Sequence, residues 1–561
     1  MNDPLDITVL LSGAAGQGIQ TVGSVLAKAA SKSGYAVFSW QEYESRIRGG
    51  ANSYRIRISD HVRNAPTGKA DLFMPMDKKS KEKYFPLLEP DGIRIDEAEE
   101  DDRTLAVPFA NLAKERFGEP LFANSIACGI ASRVLGMNLA IVKAVLTEEL
   151  ASKPEDIQKK NIGAAEIGYR ETEARCAQKC HWRFVKREKR YHLLSGNEAL
   201  AVGAWAAGCR FIAAYPMTPS TGIITWFSKY RKECQVFAEQ AEDEIAAIHM
   251  AVGASYAGVR AMTATSGGGF ALMTEGLSLS GMTETPVVVV LGQRPAPATG
   301  LPTRTEQGDL LFAVHAGHGY FPKLVLAPSD PKNAFHAIIR AFTLAEKYQI
   351  PAVVLTDQSL AESNFSIEDF ETDTIRNETF LADPRKISDY KRYAWTPTGI
   401  SPRLHPGQSR HLVCCDSDEH DEYGHITEDL SVRNRMVEKR LKKADLLKAE
   451  IRKPEEYLSA DAKTVLFSWG SSRNAVREAV DRMRIDGKKI GFVHFSEMWP
   501  LPQYRLPRGV KKVTVESNAD GLFRQLLQLE YGMSMEGSIL RYDGLPLDAA
   551  YVMKECLHVD R

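Results

Sequence analysis

The chain lacks most of the features that would sort it quickly. Eight cysteines in 561 residues are far too few for a disulfide scaffold. They stand at Cys128, Cys176, Cys180, Cys209, Cys234, Cys414, Cys415 and Cys556, with no CxxC among them. That excludes a self-contained ferredoxin-type cluster and gives no support to a CxxC zinc ribbon. No apolar run approaches the roughly 18 residues that a bilayer span needs; the densest, residues 286–291, is strand-sized. Net charge is missing too: 71 basic against 72 acidic residues leaves −1. No overall field therefore recruits nucleic acid or an anionic membrane. The start, Met1-Asn2-Asp3-Pro4, has no basic n-region of a signal peptide. There is no internal repeat and no long low-complexity tract. What is there, 44% apolar and 25% charged residues, is the composition of an ordinary globular chain. Its length suits three to four domains at roughly 150 residues each. The expectation is a cytoplasmic, multidomain α/β protein whose cores need no metal or disulfide staples.

Residues 6–170 alternate between strand and helix patterns. A strand over 7–11 runs into the turn Gly13-Ala14-Ala15-Gly16-Gln17-Gly18, and residues 19–34 carry Val22, Leu26, Ala29 and Ala30 at helical spacing. Strand, glycine loop and helix make a βα unit of an open sheet, where ligands sit at the carboxyl ends of strands. The acidic run 96–102 reads as a solvated loop. Charges crowd together between 171 and 190, and residues 176–191 read as a linker. No aromatic platform accompanies this run, so it does not read as a nucleic-acid site. A second α/β block spans 192–365, with strands expected at 210–214, 260–265, 287–291, 324–327 and 352–356 and helices between them. Residues 366–462 lose that rhythm. They end in an expected amphipathic helix with Val432, Met436, Val437, Leu441, Ala444, Leu447 and Ile451 on one stripe. A third block, 463–561, has strands expected at 465–469, 490–495 and 510–516.

Several loops carry residues suited to chemistry. The first turn is GxxGxG rather than the dinucleotide GxGxxG, and no acidic residue clearly ends the second strand to hold a ribose. Its glycines Gly13, Gly16 and Gly18 let backbone N–H groups approach a phosphate at a helix start. Arg46 and Arg48 flank Ile47 beside the diglycine Gly49-Gly50, and guanidiniums suit a phosphate-rich cosubstrate. After the 210–214 strand comes Tyr215-Pro216-Met217-Thr218-Pro219, in which two fixed φ angles make a rigid platform for the Thr218 hydroxyl. Glu239-Gln240-Ala241-Glu242-Asp243-Glu244 precedes an apolar helix, where a carboxylate can simply complement the helix dipole. Ser266-Gly267-Gly268-Gly269 is another strand-end glycine loop. Arg294 ends the 287–291 strand region, and Arg304 lies ten residues on in Pro302-Thr303-Arg304-Thr305. Cys176, Cys180 and His181 lack a second ligand pair, and the Asp416–His425 cluster lacks EF-hand spacing, so neither reads as a metal site.

Taken together these residues resemble the 2-oxoacid:ferredoxin oxidoreductase family over nearly the whole chain. Residues 1–175 resemble its gamma domain, on GAAGQG and RIRGGA. Residues 192–365 resemble its alpha domain, where Tyr215–Pro219 matches the Y-P-[IM]-T-P signature. Residues 463–561 resemble a transketolase C-terminal-like domain. The gamma-then-alpha order is similar to the fused large subunit of the two-subunit enzymes, with the 2-oxoglutarate type the nearest. The resemblance implies three α/β domains: a gamma-type open sheet, a parallel sheet binding the thiamine pyrimidine, and the C-terminal domain. It implies thiamine diphosphate as cofactor, with Glu244 as the catalytic activating glutamate, Glu242 its closest competitor, and Tyr215 and Pro216 in the cofactor-binding turn. Thr218 and either Arg294 or Arg304 would contact the substrate carboxylate. The gamma domain, through its glycine loop and Arg46 or Arg48, would guide coenzyme A.

No GDG-type loop with an Asn ligand is visible, so Mg²⁺ with the diphosphate half-site, and the [4Fe–4S] cluster, are expected on a separate beta subunit. The resemblance then implies a chain inactive alone, an (αβ)₂ heterotetramer, and ferredoxin as electron acceptor. The expected reaction is oxidative decarboxylation of a 2-oxoacid, best 2-oxoglutarate, with CoA to an acyl-CoA and CO₂. Pyruvate or branched-chain and aryl 2-oxoacids remain alternatives, as does a non-catalytic nucleotide-binding regulatory subunit.

Overall fold

A computed structural model describes residues 5–45, 49–97, 101–176, 179–505 and 508–559. The chain forms two compact units, one of residues 1–194 with 363–369, the other of 195–362 with 370–561. In the first, strands β1 (Asp6–Ala15), β2 (Ala36–Glu42), β3 (Gly49–Ser59), β4 (Ala70–Pro75), β5 (Leu88–Asp96), β6 (Thr104–Ala106), β7 (His192–Ser195) and β14 (Asn364–Ile367) build one sheet. Its order is β6-β5-β4-β1-β3-β2-β14-β7. β1 runs parallel to β4 and antiparallel to β3. Alternate residues Ile7, Val9 and Leu11 meet Val22, Val25, Leu26 and Ala29 of the helix Ile19–Lys32, the period-2 and period-3.6 patterns closing on one core. The helices Ala123–Val134 and Glu155–Glu173 cross closely because Gly129 and Gly168 each face the other's backbone carbonyl, leaving no room for a Cβ.

Two expectations about boundaries change here. Residues 176–191, read as a linker, belong to the first unit. Cys176 and Phe184 are buried in its core, Phe184 lies 4.6 Å from Tyr35, and Arg187 N donates to Ser33 O at 2.9 Å. Cys176 is disulfide-bonded to Cys180. The chain also returns after residue 362 to add β14 antiparallel to β2, pairing Phe365 with Phe38 and seating Ser366 Oγ on Val37 N at 2.7 Å. Of the acidic run, Asp96 is buried at the end of β5 and pairs with Lys81 at 2.8 Å, so it is no part of a solvated loop.

The second unit holds two sheets. The larger comprises β8 (Phe211–Ala214), β9 (Phe237–Gln240), β10 (Ala261–Ser266), β11 (Val287–Gln293), β12 (Leu324–Leu326), β13 (Pro351–Asp357) and β18 (Glu497–Trp499). Their order is β18-β12-β13-β11-β10-β8-β9, parallel throughout except for β18. β11 and β13 are buried along their whole length, which is why their sequences read as unbroken apolar runs rather than alternating ones. The smaller sheet has β15 (Glu455–Tyr457), β16 (Thr464–Trp469), β17 (Ile490–Phe495), β19 (Lys511–Glu516) and β20 (Gly537–Leu540), in the order β15-β17-β16-β19-β20.

Between the sheets' sequences lies the helix Leu430–Glu450; of the apolar stripe expected of it, Met436, Leu447 and the following Ile451 are buried and Val432, Val437 and Ala444 partly so, but the buried face also takes in charged residues. The buried face is Met436, Lys439, Arg440, Lys443 and Leu447, while Leu441 is 43% exposed. The cause is Glu284, fully buried, whose carboxylate accepts from Lys439 Nζ at 2.6 Å and Lys443 Nζ at 2.5 Å. Arg440 in turn grips Glu419 through two bonds of 3.0 and 2.9 Å. Buried charges require such paired, hydrogen-bonded partners.

Candidate active site

The larger sheet of the second unit changes direction between β8 and β10. From β8 the chain crosses to β9 on one side; from β10, on the other side of β8, it continues to β11. A crevice outside the carboxyl ends of such a strand pair is where doubly wound sheets take ligands. Here the corresponding position is between the turn 215–219 after β8 and the triple glycine 267–269 after β10.

Each wall has a local cause. Asp243 caps the helix Glu244–Tyr256, its side chain accepting from Ala246 N at 2.8 Å, and so places Glu244 at the first helical position. Glu244 is 4% exposed, whereas Glu242 is exposed; burial thus separates the two carboxylates that spacing alone left close. Glu244 lies against Gly269, where a Cβ would stand 2.5 Å from its Oε1 and 2.7 Å from its Cγ. Only glycine leaves that room. Oε1 of Glu244 is buried without a hydrogen-bond partner, as is Ser266 Oγ. Such an atom costs free energy until a donor meets it.

The turn is fixed from three sides. Asn197 Nδ2 donates to Pro219 O at 2.7 Å, Ser220 Oγ to Met217 O at 2.8 Å, and Arg294 Nη1 to Thr218 O at 2.7 Å. The Thr218–Pro219 peptide is cis. Gly292 of β11 lets Pro219 approach, since a Cβ there would lie 3.0 Å from its ring. Tyr215 is 40% exposed, and Pro216 and Thr218 are half-buried. Thr218 and Arg294 are therefore brought together directly. Arg304 stands on the following loop, its Cβ 3.0 Å from where Gly544 would carry one.

The sequence reading missed Asp309. It is 8% exposed, packs against Gly267 with both oxygens within 2.8 Å of a Cβ placed there, and has Oδ2 unpartnered. Burial pushes its carboxyl up to about 6, against the opposing pull of Arg294. Burial likewise lowers the Arg294 guanidinium, countered by Asp309. In sequence Asp309 precedes an apolar stretch and looks like any helix-capping residue, so no signal separated it. Two buried carboxylates thus flank one glycine loop.

In the first unit the analogous direction change falls between β1 and β4, and the glycine turn sits there. Gly16 and Gly18 have φ of 90° and 75°, which favours glycine. A Cβ on Gly18 would overlap the Asn124 side chain and one on Gly13 would meet Met76 at 3.1 Å, while Gly16 faces open space. Gly49 pairs with Ala15 in the β1–β3 ladder, which brings the diglycine beside the turn. Arg46 and Arg48 lie outside the described residues. Among the described residues no group of His, Cys, Asp or Glu is arranged to hold a metal ion, and no helix is long and apolar enough to cross a membrane.

Comparison with known proteins supplies the context. The family described as "Pyruvate flavodoxin/ferredoxin oxidoreductase, thiamine diP-bdg" matches residues 202–439, and "Pyruvate ferredoxin/flavodoxin oxidoreductase" matches residues 8–171. The 2-oxoacid:ferredoxin oxidoreductase subunit alpha of Sulfolobus sp is 32% identical over 96% of this chain and 94% of its own length. The 2-oxoglutarate synthase subunit KorA of Methanothermobacter thermautotrophicus is 33% identical over 61% of this chain and 92% of its own. Among solved structures, 2-oxoglutarate:ferredoxin oxidoreductase from Magnetococcus marinus, with 2-oxoglutarate, coenzyme A and succinyl-CoA bound, superposes with a TM-score of 0.91. It is 28% identical and covers 99% of this chain and 100% of that one.

Proposed function

Since the chain belongs to the thiamine-dependent 2-oxoacid:ferredoxin oxidoreductase family, among its alpha subunits, we propose that it serves the CoA-dependent oxidative decarboxylation of 2-oxoglutarate. The products are succinyl-CoA and CO₂, with two electrons passed to ferredoxin. The observation that carries the catalytic part is the buried, unpartnered Glu244 Oε1 at the switch point of the larger sheet. A cofactor carrying an aminopyrimidine ring fits that donor-poor carboxylate. When bound, thiamine diphosphate supplies a carbon nucleophile and an electron sink for decarboxylation.

The chain's own residues bind and orient. Glu244, buried against Gly269 with its Oε1 unpartnered, would accept a hydrogen bond from the cofactor's aminopyrimidine ring and so favour the form that loses its proton. Thr218, with Arg294 or Arg304, receives the 2-oxoacid carboxylate, for which a guanidinium offers paired donors. The cofactor-binding turn of Tyr215 and Pro216 closes one side. In the first unit, Gly13, Gly16 and Gly18, with Arg46 or Arg48, guide coenzyme A. A beta subunit contributes Mg²⁺, the diphosphate half-site and the [4Fe–4S] cluster in an (αβ)₂ assembly. Preference for 2-oxoglutarate is supported by the names of the KorA relatives and by what the Magnetococcus marinus protein binds.

The test is to mix the chain with its beta subunit and follow CoA-dependent dye reduction with a panel of 2-oxoacids. The highest kcat/KM is expected with 2-oxoglutarate. Preference for pyruvate or an aryl 2-oxoacid would overturn the substrate, and no reduction with any 2-oxoacid would overturn the catalytic role.

A further inference from the structure

The five-stranded sheet has a direction change of its own. From β16 the chain passes through the helix Arg473–Ile485 to β17 on one side. From β19, on the other side of β16, it passes through the helix Leu522–Tyr531 to β20. A ligand would be expected outside the carboxyl ends of β16 and β19. The side chain of Gln307 sits there instead.

Gln307 is 1% exposed and bonded through every kind of polar group it has. Its Nε2 donates to Trp469 O at 3.0 Å, and its Oε1 accepts from Ser517 N at 3.0 Å. Its backbone N donates to Ser517 O at 2.6 Å, and its carbonyl accepts from Asn518 Nδ2 at 3.2 Å. Gly470, at the β16 end, leaves the space: a Cβ there would stand 3.0 Å from Gln307 Nε2.

The neighbours repeat the device at alternate positions. Thr305 is buried, with its Oγ1 donating to Asp357 Oδ1 at 3.3 Å and accepting from Ser359 N at 3.2 Å. Ser471 Oγ donates to the other Asp357 oxygen. Asp309 N donates to Gln293 Oε1 at 3.0 Å. Thr305, Gln307 and Asp309 are thus buried and tied down, while Arg304, Glu306 and Gly308 are only partly buried. The period of two is that of extended chain, in which successive side chains point to opposite sides.

We propose that Gln307, filling the ligand crevice of the C-terminal sheet, is a positioning residue that fixes Arg304 for the carboxylate of the 2-oxoacid. This rests on the reading of Arg304 as a carboxylate contact. The C-terminal sheet then contributes to substrate binding by holding a loop, with its own crevice given over to that purpose.

A double-mutant cycle on the holoenzyme with its beta subunit tests this, using Arg304→Ala, Gln307→Ala and the pair, with KM for 2-oxoglutarate, KM for CoA and kcat as readouts. Gln307→Ala is expected to raise the 2-oxoacid KM about 10-fold, with kcat within about 3-fold and the CoA KM within about 2-fold. In the Arg304→Ala background the same change should add less than about 2-fold, because coupled residues are not additive. Thr305→Val should act like Gln307→Ala, and Thr305→Ser should restore the KM; these carry the test if Gln307→Ala does not assemble. Equal fold-changes in both backgrounds, or losses shared by kcat and the CoA KM, would overturn the proposal. If Arg304→Ala alone leaves the 2-oxoacid KM unchanged, the reading of Arg304 fails and the proposal with it. If Arg304→Ala raises that KM while Gln307 and Thr305 variants behave normally, only the positioning role is overturned.

Discussion

Replacing Glu244 by Gln keeps its shape and removes the carboxylate. The side chain is 4% exposed and its Oε1 has no partner inside the chain, so the change breaks no internal bond of that atom. Activity is expected to fall at least about 10²-fold, the scale of a lost general acid–base group. The thermal midpoint should stay close to that of the wild type, because the isosteric change removes no hydrogen bond of that atom. A second perturbation reaches the same carboxylate without touching it. Gly269→Ala would put a Cβ 2.1 Å from the buried Thr265 Oγ1 and 2.5 Å from Glu244 Oε1, where ordinary contact begins near 3.4 Å, so both side chains must give way, the carboxylate by about 1 Å. A displacement of that size at a reacting group costs about 10²-fold. The assay is CoA-dependent dye reduction by the enzyme reconstituted with its beta subunit, with a melting curve for each variant. Near-normal turnover of Glu244→Gln would refute the assignment, most sharply if the exposed Glu242 proved indispensable instead.

Thr218→Ala, and Arg294→Ala or Arg304→Ala, should raise the 2-oxoacid KM by roughly 10- to 150-fold, the worth of a lost charged hydrogen bond; steady-state kinetics with unchanged KM for both arginine variants would move the carboxylate to the partner chain. Asp309 titrates near 6 against an ordinary 3.8. The folded state therefore holds its proton more tightly than the unfolded, and this contribution to stability is full below pH 4 and lost as pH rises through 6. Asp309→Asn should accordingly stabilise the protein at pH 8 by up to about 3 kcal/mol and little at pH 4, and a pH-independent change in denaturation midpoint would contradict it. Glu284→Gln strands two buried ammonium groups and should cost about 3–5 kcal/mol; a loss below about 1 kcal/mol in urea unfolding would show that the lysines find other partners.

The central parallel strands of the second unit's two sheets were legible because they are buried along their length and flanked by turns. Expected spans such as 287–291 and 490–495 fall within or on β11 and β17. β9 was not seen: Phe237–Gln240 is half exposed and carries no apolar run to mark it. The Tyr215–Pro219 turn and Glu244 were readable because local sequence makes them, a rigid turn at a strand end and a capped helix start. What escaped were residues whose roles depend on distant partners. Lys439 and Lys443 look like a solvated helix face until Glu284, 155 and 159 residues away, is brought against them. Gln307 finds its partners in Trp469 and Ser517, and Asp309 gains its character from Gly267 and burial. The return of 363–369 to the first sheet is a matter of tertiary pairing, which short-range periodicity does not encode.

The unsatisfied atoms of the second unit's crevice say something about its partners. Glu244 Oε1, Ser266 Oγ and Asp309 Oδ2 are all buried without a hydrogen bond, around a loop whose glycines admit two carboxylates where side chains would exclude them. Each such atom costs about 1–3 kcal/mol if nothing meets it. A fold could remove this cost with an apolar side chain at any of the three positions. Keeping three together at the carboxyl ends of β8 and β10 makes sense where a polar ligand completes them. Binding then returns the free energy that the empty arrangement withholds, and by linkage it stabilises the chain that binds. The melting point of the wild-type complex with its beta subunit should therefore rise with added thiamine diphosphate and Mg²⁺, and the rise should shrink in Glu244→Gln. An equal rise in both would mean that the orphaned carboxylate is not what the cofactor meets.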